Sequence, residues 1–76
     1  MDYIEQYVID KVLNLRLQKK LSQKELGDIL NVSSSFIGNV ESLNNPAKYN
    51  LKHIAMLSTY FKLTPKFFIP TSILDY

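Results

Sequence analysis

Apolar residues recur at helical spacing in four successive blocks, and polar cap residues separate the blocks. Ile4, Val8, Val12 and Leu15 make the first block, in a helical pattern over residues 3–20. Asp2 is placed to cap its start. No Pro or Gly precedes Gly27, so this helix is expected to run to about Lys19. Ser22 with Glu25 three residues on reads as a capping box for a second, two-turn helix that buries Leu26, Ile29 and Leu30. Asn31 stands where that helix must stop, because Asn tolerates a left-handed cap. Ser33 caps a third helix. Val32 and Ile37 are spaced as a hydrophobic staple, and Ile37 and Val40 face inward. Gly38 inside this helix costs up to about 1 kcal/mol of propensity. Leu43-Asn44-Asn45-Pro46 reads as a stop and a loop.

Asn50 caps a fourth helix carrying Leu51, Ile54, Leu57 and Phe61. Thr64-Pro65 opens a short fifth, Pro65 to Ile69, which Pro70 blocks. No stretch reads as a strand. The expected architecture is all-α: a compact orthogonal bundle of five short helices over 1–69. A tail, 70–76, carries Ile73, Leu74 and Tyr76. A second apolar stripe on helix 1, Ile9, Leu13 and Leu17, needs a cover. The tail is expected to pack there or on a second subunit. Met56, Tyr60 and Phe67 form a further apolar patch.

The segment Leu21 to Glu41 thus reads as two short helices crossed at a tight turn, the layout of a DNA-binding helix-turn-helix. It resembles the Cro/repressor-type family, also called XRE-like or lambda-repressor-like. The resemblance rests on Leu21, Ser22, Gln23, Glu25, Leu26, Leu30, Val32, Ser33, Ile37 and Glu41 in register, with Arg16 on helix 1. Pro46, Asn50-Leu51, Ile54, Leu57, Phe61 and Leu63 continue it downstream, so that it covers about residues 8–69. The chain departs from the family at four positions. Gly27 stands for the usual alanine, a change the helix crossing can accept since both are small. Asn31 stands for glycine. Gly38 stands for serine. Leu43 stands where glycine ends the third helix, so that helix is expected over about 33–43.

The resemblance implies roles residue by residue. Ser34, Ser35 and Asn39 would contact base edges in the major groove, where Asn can bond adenine in bidentate fashion. Gln23, Asn44 and Lys48 would contact the sugar-phosphate backbone, Gln23 with help from a helix N-terminus. Arg16 and Glu41 would form a structural salt bridge between helices 1 and 3. Phe36 could meet a thymine methyl or fold back onto helix 2. The implied function is a sequence-specific transcriptional regulator of the repressor type, binding double-stranded DNA as a homodimer on a pseudo-palindromic operator. The alternative is a protein-interaction module, or an antitoxin-like partner-binding protein, that keeps the fold with little DNA binding.

Charge sharpens this picture. The 76 residues carry a net charge of only +2, but residues 31–47 contain no Lys or Arg and Glu41 is their only acid. Lys19, Lys20 and Lys24 lie before that segment, and Lys48, Lys52, Lys62 and Lys66 after it. Any electrostatic grip on nucleic acid must therefore come from the flanks. There is no cysteine, hence no disulfide framework and no thiolate metal site. His53 has no second His near it, which argues against a metal and for a helix-surface residue. No cofactor and no small-molecule ligand is implied. No nucleophile, phosphate loop or acidic pair suggests an enzyme. No apolar run reaches the roughly 20 residues of a membrane span, and the start has no basic-then-apolar signal, so a cytoplasmic location is expected.

Overall fold

A computed structural model describes residues 3–70. The described residues form four α-helices and one 3₁₀ turn: α1 (Tyr3–Gln18), α2 (Gln23–Leu30), α3 (Ser34–Glu41), α4 (Leu51–Phe61) and the turn Pro65–Phe68. There is no strand among the described residues. The fifth helix of the sequence reading is corrected to this turn. Pro65 starts it and Pro70 lies too close for the α-helical ladder to close, so the bond that forms is Phe67 N–H to the Thr64 carbonyl, three residues back.

The cap chemistry explains the helix starts. Ser22 Oγ accepts the Glu25 N–H at 2.9 Å while the Glu25 carboxylate accepts the Ser22 N–H at 2.8 Å. Ser33 Oγ accepts the Phe36 N–H at 3.0 Å. Asn50 Oδ1 accepts the His53 N–H at 2.9 Å. The ends of α1, α2 and α4 share one device. Lys20, Asn31 and Lys62 sit in the left-handed region at φ 57°, 59° and 57°. In each case the next N–H reaches back five residues: Leu21 to Arg16, Val32 to Gly27, Leu63 to Ser58. This is the Schellman closure, here without glycine.

Helix α3 is shorter than the expected 33–43. It ends at Glu41 because Ser42 turns extended, with φ −83° and ψ 127°. The loop that follows is organised by Asn45, whose Oδ1 accepts the Ala47 N–H at 2.9 Å. Pro46 biases the residue before it away from helix, so continuation is opposed twice.

The core joins Val12 and Leu15 of α1, Leu26 and Leu30 of α2, Ile37 of α3, Ile54 and Leu57 of α4, and Phe68 of the 3₁₀ turn. Helix α2 packs against both α3 and α4, and the 3₁₀ turn closes onto α1 and α4. The buried face of α1 is Ile9, Val12 and Leu15, rotated from the expected one. Ile4 is exposed and Val8 only half-buried. The second stripe therefore dissolves: Ile9 is core, Leu13 is half-buried and Leu17 is exposed. The tail expected to cover it, with Ile73, Leu74 and Tyr76, lies outside the described residues, as does the Asp2 cap. Leu51, expected in the core, is 81% exposed. As the first residue of α4 it sits on the rim of an apolar groove with Ile4, Val8 and Ile54.

The two glycines differ in kind. A Cβ on Gly38 would meet only the side-chain amide of Gln23, at 3.4 Å, an ordinary contact distance. Gly38→Ala should therefore recover helix propensity and raise stability by about 0.5–1 kcal/mol in urea unfolding. A decrease would show that the Gln23 side chain cannot give way.

Candidate nucleic-acid interface

At Gly27 helix α2 lies tight against the turn that leads into α3, where an added Cβ would stand 2.7 Å from the Val32 carbonyl oxygen. Glycine is thus accommodated here, and a methyl in its place would be crowded. The atom in the way is backbone, and Val32 is itself fixed by its N–H bond to the Gly27 carbonyl at 2.9 Å. The turn is thus closed on both sides of residue 27.

With α3 seated by buried Ile37 and Val40, its outer positions follow from helical spacing. Ser34, Ser35 and Asn39 are all exposed, so three short polar side chains are offered by one helix of eight residues. No Lys or Arg interrupts this surface.

The far end of α3 is tied down by Arg16. Its Nε donates to Glu41 Oε2 at 2.7 Å and its Nη2 to Glu41 Oε1 at 2.9 Å, a bidentate fork. Its Nη1 donates to the Leu21 carbonyl at 2.8 Å. One guanidinium thus joins the end of α1, the α1–α2 turn and the end of α3. The two side chains keep 12% and 9% of their exposure, so the pair is largely withdrawn from water.

Gln23 is exposed at the first position of α2, and its Nε2 donates to Glu41 Oε1 at 3.0 Å. A carboxamide carries two N–H donors. Glu41 takes one and the amide retains another for a second acceptor. Asn44 is exposed in the loop after α3. Lys48 forms a salt bridge with Glu5 of α1, so its ammonium shares its charge with that carboxylate. Lys24 pairs with Asp28 one turn on, both well exposed, and such a pair contributes little. The structure therefore gathers Gln23, Glu41 and Arg16 into one network and leaves Asn44 and Lys48 on the loop beyond it.

Phe36 packs inward in part. It is half-buried against the core, 5.5 Å from the His53 ring and 6.3 Å from Tyr49 between centroids. It leans toward α4 rather than folding onto α2 alone. His53 is not a helix-surface residue, as its isolation in the sequence suggested. It is 8% exposed, and its Nδ1 accepts the Asn50 N–H at 3.1 Å, closing a capping box for α4. The signal was present: His53 stands three residues after Asn50, where Glu or Gln serves in other capping boxes. Burial, and then the neighbouring Lys52 ammonium, hold its imidazole below the ordinary histidine value. Tyr49 is half-buried beside it. Burial above all, then the Glu41 carboxylate, push its phenol up, against a smaller opposing effect of Arg16. Its hydroxyl is buried with no hydrogen-bond partner.

Among the described residues no group of three His, Cys, Asp or Glu could hold a metal. No helix of the described chain is long and apolar enough to cross a membrane. No family model, no curated protein and no solved structure matches this chain.

Proposed function

We propose that this protein is a sequence-specific double-stranded DNA-binding regulator whose α2–α3 pair acts as a helix-turn-helix, in the manner of the lambda-repressor-like proteins its sequence resembles. The observation that carries the reading is the outer face of α3. Ser34, Ser35 and Asn39 project together from a helix held at its start by the Gly27 crossing and at its end by Arg16 and Glu41. A short, rigid, polar helix face is what direct readout in the major groove requires. Gln23 serves the phosphate from the α2 N-terminus while Glu41 fixes its orientation. Asn44 and Lys48 add backbone contacts, with Lys48 exchanging Glu5 for a phosphate. One such surface makes few base contacts, so a homodimer on a pseudo-palindrome supplies the rest.

The test is a binding titration on DNA selected from a random pool, repeated at several salt concentrations. Asn39→Ala should relax preference at one base position by about 1–3 kcal/mol. Lys48→Ala should weaken all sequences alike and flatten the salt dependence by about one unit of slope. No enrichment of any sequence, with affinity indifferent to salt, would sink the reading.

A second reading is favoured by one observation. Leu43, directly beyond α3, is 89% exposed. With Leu13 and Pro46 it lines a surface pocket beside a helix without cations, which suits a protein partner, as in an interaction module or an antitoxin-like protein. Leu43→Ser separates the two, since it should leave DNA affinity nearly intact.

A further inference from the structure

His53 couples the start of α4 to α3, through two sets of contacts made by one ring. Its Nδ1 lone pair accepts the Asn50 N–H at 3.1 Å, so the neutral tautomer present carries its proton on Nε2. The faces and edges of the same ring meet Phe36 at 5.5 Å and Tyr49 at 5.8 Å. Phe36 and Tyr49 also meet each other nearly edge-on, at an interplanar angle of 70°. The result is a three-ring cluster in which a single member belongs to α3.

We propose that protonation of His53 opens the α4 cap and loosens the Phe36 contact, making the seating of α3 acid-sensitive. A proton on Nδ1 turns the acceptor into a donor that faces the Asn50 N–H. Two donors cannot share that distance, so the ring or the cap must move. The new cation would also sit in the first turn of α4, where the helix dipole disfavours positive charge. The groups around the ring offer it no relief. The α2 end contributes Leu30, Asn31 and Val32, α3 contributes Phe36, the loop contributes Tyr49 and Asn50, and the charge nearest on its own helix is Lys52. Tyr49 holds its proton throughout the range in question.

The direction of the pH effect follows. The folded chain binds this proton less readily than the unfolded one. Its contribution to stability is therefore complete above the ordinary histidine value near 6.5 and is lost as pH falls through that value toward the lower folded one. Within that window the folded-to-unfolded ratio should fall with pH, by at most tenfold per pH unit from this group alone. The inference holds whatever α3 binds, and its test needs no ligand.

The experiment is an NMR titration of the full chain between pH 7.5 and 5. It follows the His53 ring, the Asn50 amide and the Phe36 ring protons, with thermal unfolding recorded alongside. All three signals should share one midpoint below the ordinary histidine value, and the melting temperature should fall across the same window. His53→Gln supplies an acceptor that does not titrate, so its acid sensitivity in that window should vanish. An Asn50 amide and Phe36 ring that ignore the His53 titration would overturn the proposal. So would a folded His53→Gln variant with the wild-type loss in acid. Should that variant not fold, the wild-type titration decides by itself.

Discussion

Glu41→Ala should remove about 3 kcal/mol or more of stability, and Arg16→Ala about as much. Each leaves its partner charge largely withdrawn from water, and breaking such a pair costs about 3–5 kcal/mol. The loss is not confined to one contact. Without Glu41 the guanidinium keeps only the Leu21 carbonyl among these bonds, and Gln23 loses its acceptor. Without Arg16 the carboxylate keeps a single neutral donor from Gln23. A domain of this size holds roughly 4–11 kcal/mol in all, so either change consumes a large part of it. The melting temperature should fall by more than about 10 °C. Glu41→Gln keeps the shape and one good acceptor and should fall between wild type and alanine. Urea unfolding of the three variants settles the matter. A loss below about 1 kcal/mol would mean the pair behaves as a solvated surface bridge.

Gly27→Ala comes next, with an expected cost of about 1–3 kcal/mol from overpacking. The methyl meets the Val32 carbonyl oxygen at 2.7 Å and the Ser33 backbone from 3.3 Å, and neither can rotate away. Relief requires α2 and α3 to part. That would disturb the Ser33 cap and the angle at which α3 is held. The sign is opposite to that for Gly38→Ala, although both replace a helical glycine by the best helix former. Thermal melts of the two variants side by side test the contrast. A Gly27→Ala protein as stable as wild type would show that the crossing relaxes at little cost.

Much of this arrangement was legible in the chain because caps act locally. Ser22 with Glu25, Ser33, Asn31 and Asn50 each announce themselves within four residues, and each makes the bond its spacing implies. Periodicity was weaker where two faces of α1 were both apolar. Ile4 and Ile9 fit the helix period almost equally well, and only packing against the rest of the core chose Ile9. Phe68, fully buried, lies in a single 3₁₀ turn too short to show any period. Leu51 looked like core by spacing but starts its helix at the surface. At the candidate site the exposed trio of α3 could be placed from the burial of Ile37 and Val40. The engagement of Gln23 with Glu41, and of Lys48 with Glu5, could not, because each joins residues distant in sequence through long flexible side chains. His53 is harder to place from sequence because a lone histidine carries no periodic signal, and its burial follows from Nδ1 accepting the Asn50 N–H.

The left-handed lysines that close α1 and α4 have a consequence of their own. A side chain at such a backbone position carries a conformational penalty of roughly 1–2 kcal/mol that glycine avoids. Two helix ends therefore sit above their local energy minimum, each at a residue that carries an exposed cation beside a helix C-terminus. Lys20 and Lys62 are consequently an untapped reserve. Sequence drift could adjust the robustness of the domain at either position, exchanging positive charge for backbone ease, without changing a single residue of α3.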